Sequence, residues 1–165
     1  MITDIAAGKW VWKLGFLLFT TAGAWQDIQK RSISARTFQV AGVVGVSLRI
    51  GFFLWEANTR GIEPSGFRGQ LWDLSAAVTI GFFLLILSVV TEEAIGRGDG
   101  SFFVVSGIYL GFWRNLILLW GSLLLSLPVC VILSIRGRRQ GRKAGSIRIP
   151  FLPFVFFAGM GVVFL

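Results

Sequence analysis

Long apolar runs separated by short polar stretches dominate the chain. Six segments approach the roughly 20 apolar residues that a helix needs to cross a hydrocarbon layer: 10–25, 38–55, 74–91, 102–113, 116–135 and 149–165. The first contains Lys13 and the second Arg49, each near a segment end from which a long side chain reaches the interface. The fourth is short and holds Gly107 and Gly111. Between the runs lie 26–36, with Lys30, Arg31 and Arg36; 56–73, of mixed charge, with Pro64 and three glycines; the glycine-rich 92–101; a tight corner at 114–115; and the basic stretch 136–148. The pattern predicts an all-α fold, a polytopic membrane helix bundle of about six transmembrane helices.

Charge placement orients this bundle. Six of the 16 basic residues fall between Arg136 and Arg148, and the most basic loop belongs on the cytoplasmic side. Parity then puts 26–36 and 92–101 on that side as well, with both chain ends and 56–73 outside. The second basic stretch, 26–36, agrees with the first. The opening residues do not read as a removable signal peptide: Asp4 precedes any basic residue and no small-residue cleavage site follows the first apolar run.

Composition sharpens the picture by exclusion. Of 165 residues, 55% are hydrophobic and only 15% charged, too few charges to cover a soluble globule. With no histidine, Ser–His and Cys–His nucleophile pairs and His-ligated metal sites are ruled out. The single cysteine, Cys130, lies in an apolar run and reads as a small buried hydrophobe. The net charge of +8 is concentrated in loops rather than along an aromatic-interleaved surface, so nucleic acid is not the expected partner; an anionic lipid surface is. No metal and no cofactor is expected.

The acids carry the chemistry that remains. There are eight: Asp4, Asp27, Glu56, Glu63, Asp73, Glu92, Glu93 and Asp99. Asp27 follows the first run in AWQDIQKRSIS, and Asp99 lies in GRGDG between the third and fourth. Two crossings separate them, so parity brings both to the cytoplasmic membrane boundary. Two nearby carboxylates in a partly desolvated site cannot both ionise easily; one holds a shared proton while the other stays charged. Such a pair activates water with the charged member and polarises an amide carbonyl with the protonated one. Gly96, Gly98 and Gly100 around Asp99 allow unusual backbone conformations and close approach of another chain, giving an extended substrate room. Taken singly, each acid has a plainer reading, Asp99 as a helix cap and Asp27 as a solvated loop charge.

Three motifs together resemble the type IV prepilin peptidase family, membrane aspartic proteases with a G-x-G-D signature. Asp27 is followed six residues later by Ile33; Gly96-Arg97-Gly98-Asp99 matches G-x-G-D; and Ile149-Pro150-Phe151-Leu152-Pro153-Phe154 resembles the proline–phenylalanine segment opening the last span. The chain departs from the family in having Ser34-Ala35 after Ile33 where Pro-Asn is usual. It also has Gly100-Ser101 where a small apolar residue and a lysine follow the signature. The resemblance implies that residues 1–165 form a single membrane-embedded peptidase domain in a prokaryotic plasma membrane, with Asp27 and Asp99 as the two catalytic aspartates. It implies cleavage of the short basic leader of a type IV pilin-like precursor on the cytoplasmic side. The long members' cysteine-rich amino-terminal region is missing, which implies a peptidase-only form. Glu92 and Glu93 are expected to attract the basic leader, and Pro150 and Phe151 to support the site.

Two other function classes fit an intramembrane acid pair: a small transporter binding protons or cations at Asp27 and Asp99, and a catalytically silent scaffold of a pilus or secretion assembly. Asparagine at either position separates them, because only a peptidase loses precursor cleavage with each change.

Overall fold

The computed structural model describes residues 2–30, 34–60, 64–91, 96–139 and 151–164. These form six helices: α1 (Ile2–Lys30), α2 (Ala35–Arg60), α3 (Pro64–Val90), α4 (Arg97–Leu110), α5 (Phe112–Arg139) and α6 (Leu152–Phe164). Each falls on one of the six apolar runs, and the fold is an all-α bundle. Three stretches are long and apolar enough to cross a membrane: Ala35–Thr59, Gly66–Val90 and Phe112–Leu133. By contrast α4 has 14 residues and α6 has 13, about 20 Å at 1.5 Å per residue, against a hydrocarbon layer of about 30 Å. Large apolar side chains such as Leu18, Trp72, Val90 and Trp113 lie exposed, as they do where the surrounding solvent is lipid.

The short α4 lies at the centre, packed against α1, α2, α3 and α5. Its Phe102, Phe103 and Val105 join Phe16 and Phe19 of α1, Leu118 of α5 and Leu152, Val155 and Val162 of α6 in one core. Phe19 stacks on Phe102 with ring centroids 4.8 Å apart. Tyr109 meets the rings of Trp12, Phe16 and Phe19 and donates its hydroxyl to the carbonyl of Ala41 at 2.8 Å. Aromatic faces therefore set α4 beside α1.

Glycine sets α4 against α3. A Cβ on Gly81 would collide with the backbone of Val104; one on Gly100 would stand 2.9 Å from the amide nitrogen of Leu85, and one on Gly107 2.8 Å from the carbonyl oxygen of Ala77. The two helices thus touch backbone to backbone, the close approach that small residues permit in membrane bundles.

The corner expected at 114–115 lies instead at Gly111, where φ is 75° and the N–H donates to the Gly107 carbonyl at 3.0 Å. Only glycine takes this conformation without strain. Asn115, whose polarity suggests a corner, is fully buried inside α5. Its amide donates to the carbonyls of Ala77 (3.2 Å) and Phe103 (3.1 Å) and accepts from the Ser106 hydroxyl (2.7 Å). One side chain thereby ties α3, α4 and α5 together. Among the described residues, no buried side-chain polar atom lacks a partner, as a lipid-embedded bundle requires. Cys130 is only partly covered rather than buried.

Candidate active site

Asp27 sits three residues before the end of α1, and Asp99 in the first turn of α4. The segments carrying them converge. A Cβ on Gly23, one turn before Asp27, would stand 2.9 Å from Leu152 of α6 and 3.8 Å from Phe102, which is nearly one turn after Asp99. Gly23 therefore lets the first turn of α6 and the start of α4 close over the end of α1, and no sequence motif pointed to it.

Asp27 occupies the amino-terminal end of α6. The N–H of Leu152 donates to its Oδ2 at 3.1 Å. A carboxylate at a helix start satisfies an otherwise unpaired donor and meets the positive end of the helix dipole. Burial raises the Asp27 pKa above its usual value, while the Leu152 and Phe151 amides draw it partly back. Phe151 thus supports Asp27 through its backbone, and its carbonyl begins α6 by accepting the N–H of Phe154 at 3.0 Å.

Asp99 has the stronger perturbation. Its pKa is raised to about 7, first by burial and second by the negative charge of Asp27. This second cause requires the two carboxylates to share one electrostatic environment although 72 residues separate them in sequence. The two environments also differ. Amide donors favour the charged form of Asp27, whereas burial beside a like charge favours the protonated form of Asp99. On the acid side of about pH 7 the pair therefore holds a proton that sits mostly on Asp99, and it loses this proton as pH rises through that value.

The expected open glycine loop is largely helix. Gly96 precedes α4 with an ordinary φ of −61°, Gly98 lies in the first turn, and Gly100 faces Leu85 of α3. Gly100 gives close packing against α3 beside Asp99, and Gly96 leaves room for the Asp99 carboxylate. Gln26, next to Asp27, fixes the entry to α2: it donates to the Thr37 hydroxyl at 2.8 Å and accepts the Ser34 N–H at 3.0 Å. Glu92, Glu93 and Pro150 lie outside the described residues, as does most of the basic stretch 136–148.

The model of the type IV leader peptidase family matches residues 14–135. The chain belongs to this family. The matched region runs from within α1 to within α5 and includes both Asp27 and Asp99. No curated protein and no solved structure matches the chain. As a type IV leader peptidase, the protein is a membrane protease that hydrolyses peptide bonds.

Proposed function

We propose that the chain is an aspartic endopeptidase that removes the basic leader of type IV pilin-like precursors, with Asp27 and Asp99 sharing the reaction. The observation that carries this reading is the convergence of the end of α1, the start of α4 and the start of α6 at Gly23, with Asp27 bonded to the Leu152 amide; the charge of Asp27 raising the Asp99 pKa agrees with it. The charged Asp27 carboxylate takes a proton from a water molecule as the water oxygen attacks the scissile carbonyl carbon. The protonated Asp99 donates its proton to the carbonyl oxygen, giving a neutral tetrahedral diol. Asp99 then recovers a proton from the diol as the carbonyl reforms. Asp27 delivers its proton to the leaving nitrogen, the C–N bond breaks, and both groups return to their starting states. Neither a metal nor a cofactor enters any step.

The same reading places the pair at the cytoplasmic face of a prokaryotic plasma membrane, because both loops beside it, 26–36 and 92–101, share the side of the basic stretch 136–148. Residues 1–165 act as one peptidase domain. Glu92 and Glu93 offer negative charge to a positively charged leader, so Glu92→Gln with Glu93→Gln weakens processing. Co-expression with a type IV pilin-like precursor tests the proposal. The parent protein converts the precursor to a faster-migrating product, and Asp27→Asn and Asp99→Asn each abolish the conversion. Undiminished processing by either variant would contradict it.

A further inference from the structure

Arg49 and Asp73 lie inside two membrane-capable stretches, where charge is expensive and needs a reason. Arg49 does not reach for the interface as its place near a segment end predicts. Its Nη2 pairs with Asp73 Oδ2 at 3.4 Å, and its Nη1 donates to the carbonyl of Ile108, in the last turn of α4, at 3.1 Å. Asp73 turns its other oxygen to α5, accepting the N–H of Phe112 at 3.0 Å, and its carboxylate closes against Gly111 at the corner. One ion pair thus satisfies the carbonyl end of α4 and the amide end of α5, each charge at the helix pole that favours it.

Packing leaves a gap beside this end of α4 on its α2–α3 side. An apolar cavity of about 290 Å³ opens between α2 and α3, walled by Val46, Ile50, Phe53, Phe67 and Leu71, and Ile108 faces it. Leu85 of α3 seats against Gly100 at the Asp99 end and Tyr109 seats against Gly45 of α2 at the other, so the ion pair acts together with these contacts along α4. A rigid helix of about 20 Å carries Asp99 at its other end, so axial movement at Ile108 is movement at Asp99.

We propose that the Arg49–Asp73 pair is a positioning clamp that sets the height of α4 and thereby holds Asp99 opposite Asp27. The assignment deepens the reading of Asp27 and Asp99 as the catalytic pair and rests on it for its consequence in turnover; the geometric part stands independently.

The test neutralises the clamp without stranding a charge, using Arg49→Gln with Asp73→Asn in the full-length protein in nanodiscs. On a Cys130→Ser background, Asp27→Cys and Asp99→Cys report the approach of α1 and α4 through the rate of cross-linking by a short bifunctional reagent. The clamp-neutral protein is expected to cross-link several-fold more slowly. With both aspartates in place, kcat falls roughly tenfold or more while KM stays nearly constant, because a small misplacement of a reacting group lowers turnover. Arg49→Lys, which keeps the charge but not the planar fork, restores part of both. Unchanged cross-linking and kcat in the folded double variant would overturn the clamp, as would a lower folded yield with normal cross-linking in the molecules that fold. If the double variant does not fold, Arg49→Lys alone decides, since parental cross-linking there overturns the proposal and slower cross-linking upholds it. If neither protein cleaves a precursor, the cross-linking comparison still decides the clamp, and the failure belongs to the catalytic reading.

Discussion

The Asp99 carboxyl is raised to about 7 by burial and by Asp27, so the folded protein binds its proton more tightly than the unfolded chain does. That contribution to stability is complete below the usual aspartate range and is lost as pH rises through about 7. The melting temperature of the parent should therefore fall between pH 5 and pH 8, and Asp99→Asn should flatten that decline; an equal decline in both would contradict the assignment. Cleavage needs the same proton, so its rate should drop on the alkaline side of about pH 7. Asn115 makes a second prediction at this scale. Replacing it with Leu removes its ties to Ala77, Phe103 and Ser106, leaving Ser106 with the Phe103 carbonyl and costing about 1–3 kcal/mol, read as a lower melting temperature. Neither its burial nor the pairing of Arg49 with Asp73 was legible in the sequence. Polarity at 114–115 looks like a loop, and a basic residue near a segment end looks like an interfacial anchor. What decides each case is a partner many residues away, delivered by helix packing.

At the scale of elements, the closeness of α3 and α4 is what glycine makes possible. Gly81→Ala and Gly107→Ala each push a methyl group into backbone of the facing helix, which cannot move aside without separating the pair. Each should destabilise the protein by about 1–3 kcal/mol. Gly51→Ala, in the open middle of α2 with nothing within 4 Å, should be neutral or stabilising by up to about 1 kcal/mol. Equal effects at all three positions, measured by thermal unfolding in detergent, would show that the α3–α4 contact is not tight. The six helices themselves were readable from the apolar runs, since length and hydropathy are local properties. The meaning of Gly96, Gly98 and Gly100 was not. Glycine serves loops and close helix crossings alike, and only the proximity of Leu85 to Gly100 tells them apart.

At the scale of the whole molecule, the proposed orientation of the bundle rests on its asymmetric charge, with 16 basic residues against eight acidic ones and the more basic loops assigned to the cytoplasmic side. On a Cys130→Ser background, a membrane-impermeant thiol reagent applied to intact cells should label cysteine at Arg68 and spare cysteine at Ser34; the reverse would invert the molecule. The meeting of Asp27 with Asp99 belongs to this scale too. Counting crossings placed both acids at one membrane boundary, but the roles of Gly23 in admitting α6 and of the Leu152 amide in favouring a charged Asp27 appear only once the helices are packed. The central claim is that these two carboxyls form one titrating pair. Infrared titration of the carboxyl C=O band tests it most directly. A band titrating near pH 7 should disappear in Asp99→Asn and move to lower pH in Asp27→Asn, where the repelling charge is gone. A titration left in place by Asp27→Asn, or no carboxyl titrating above the usual aspartate range, would contradict it.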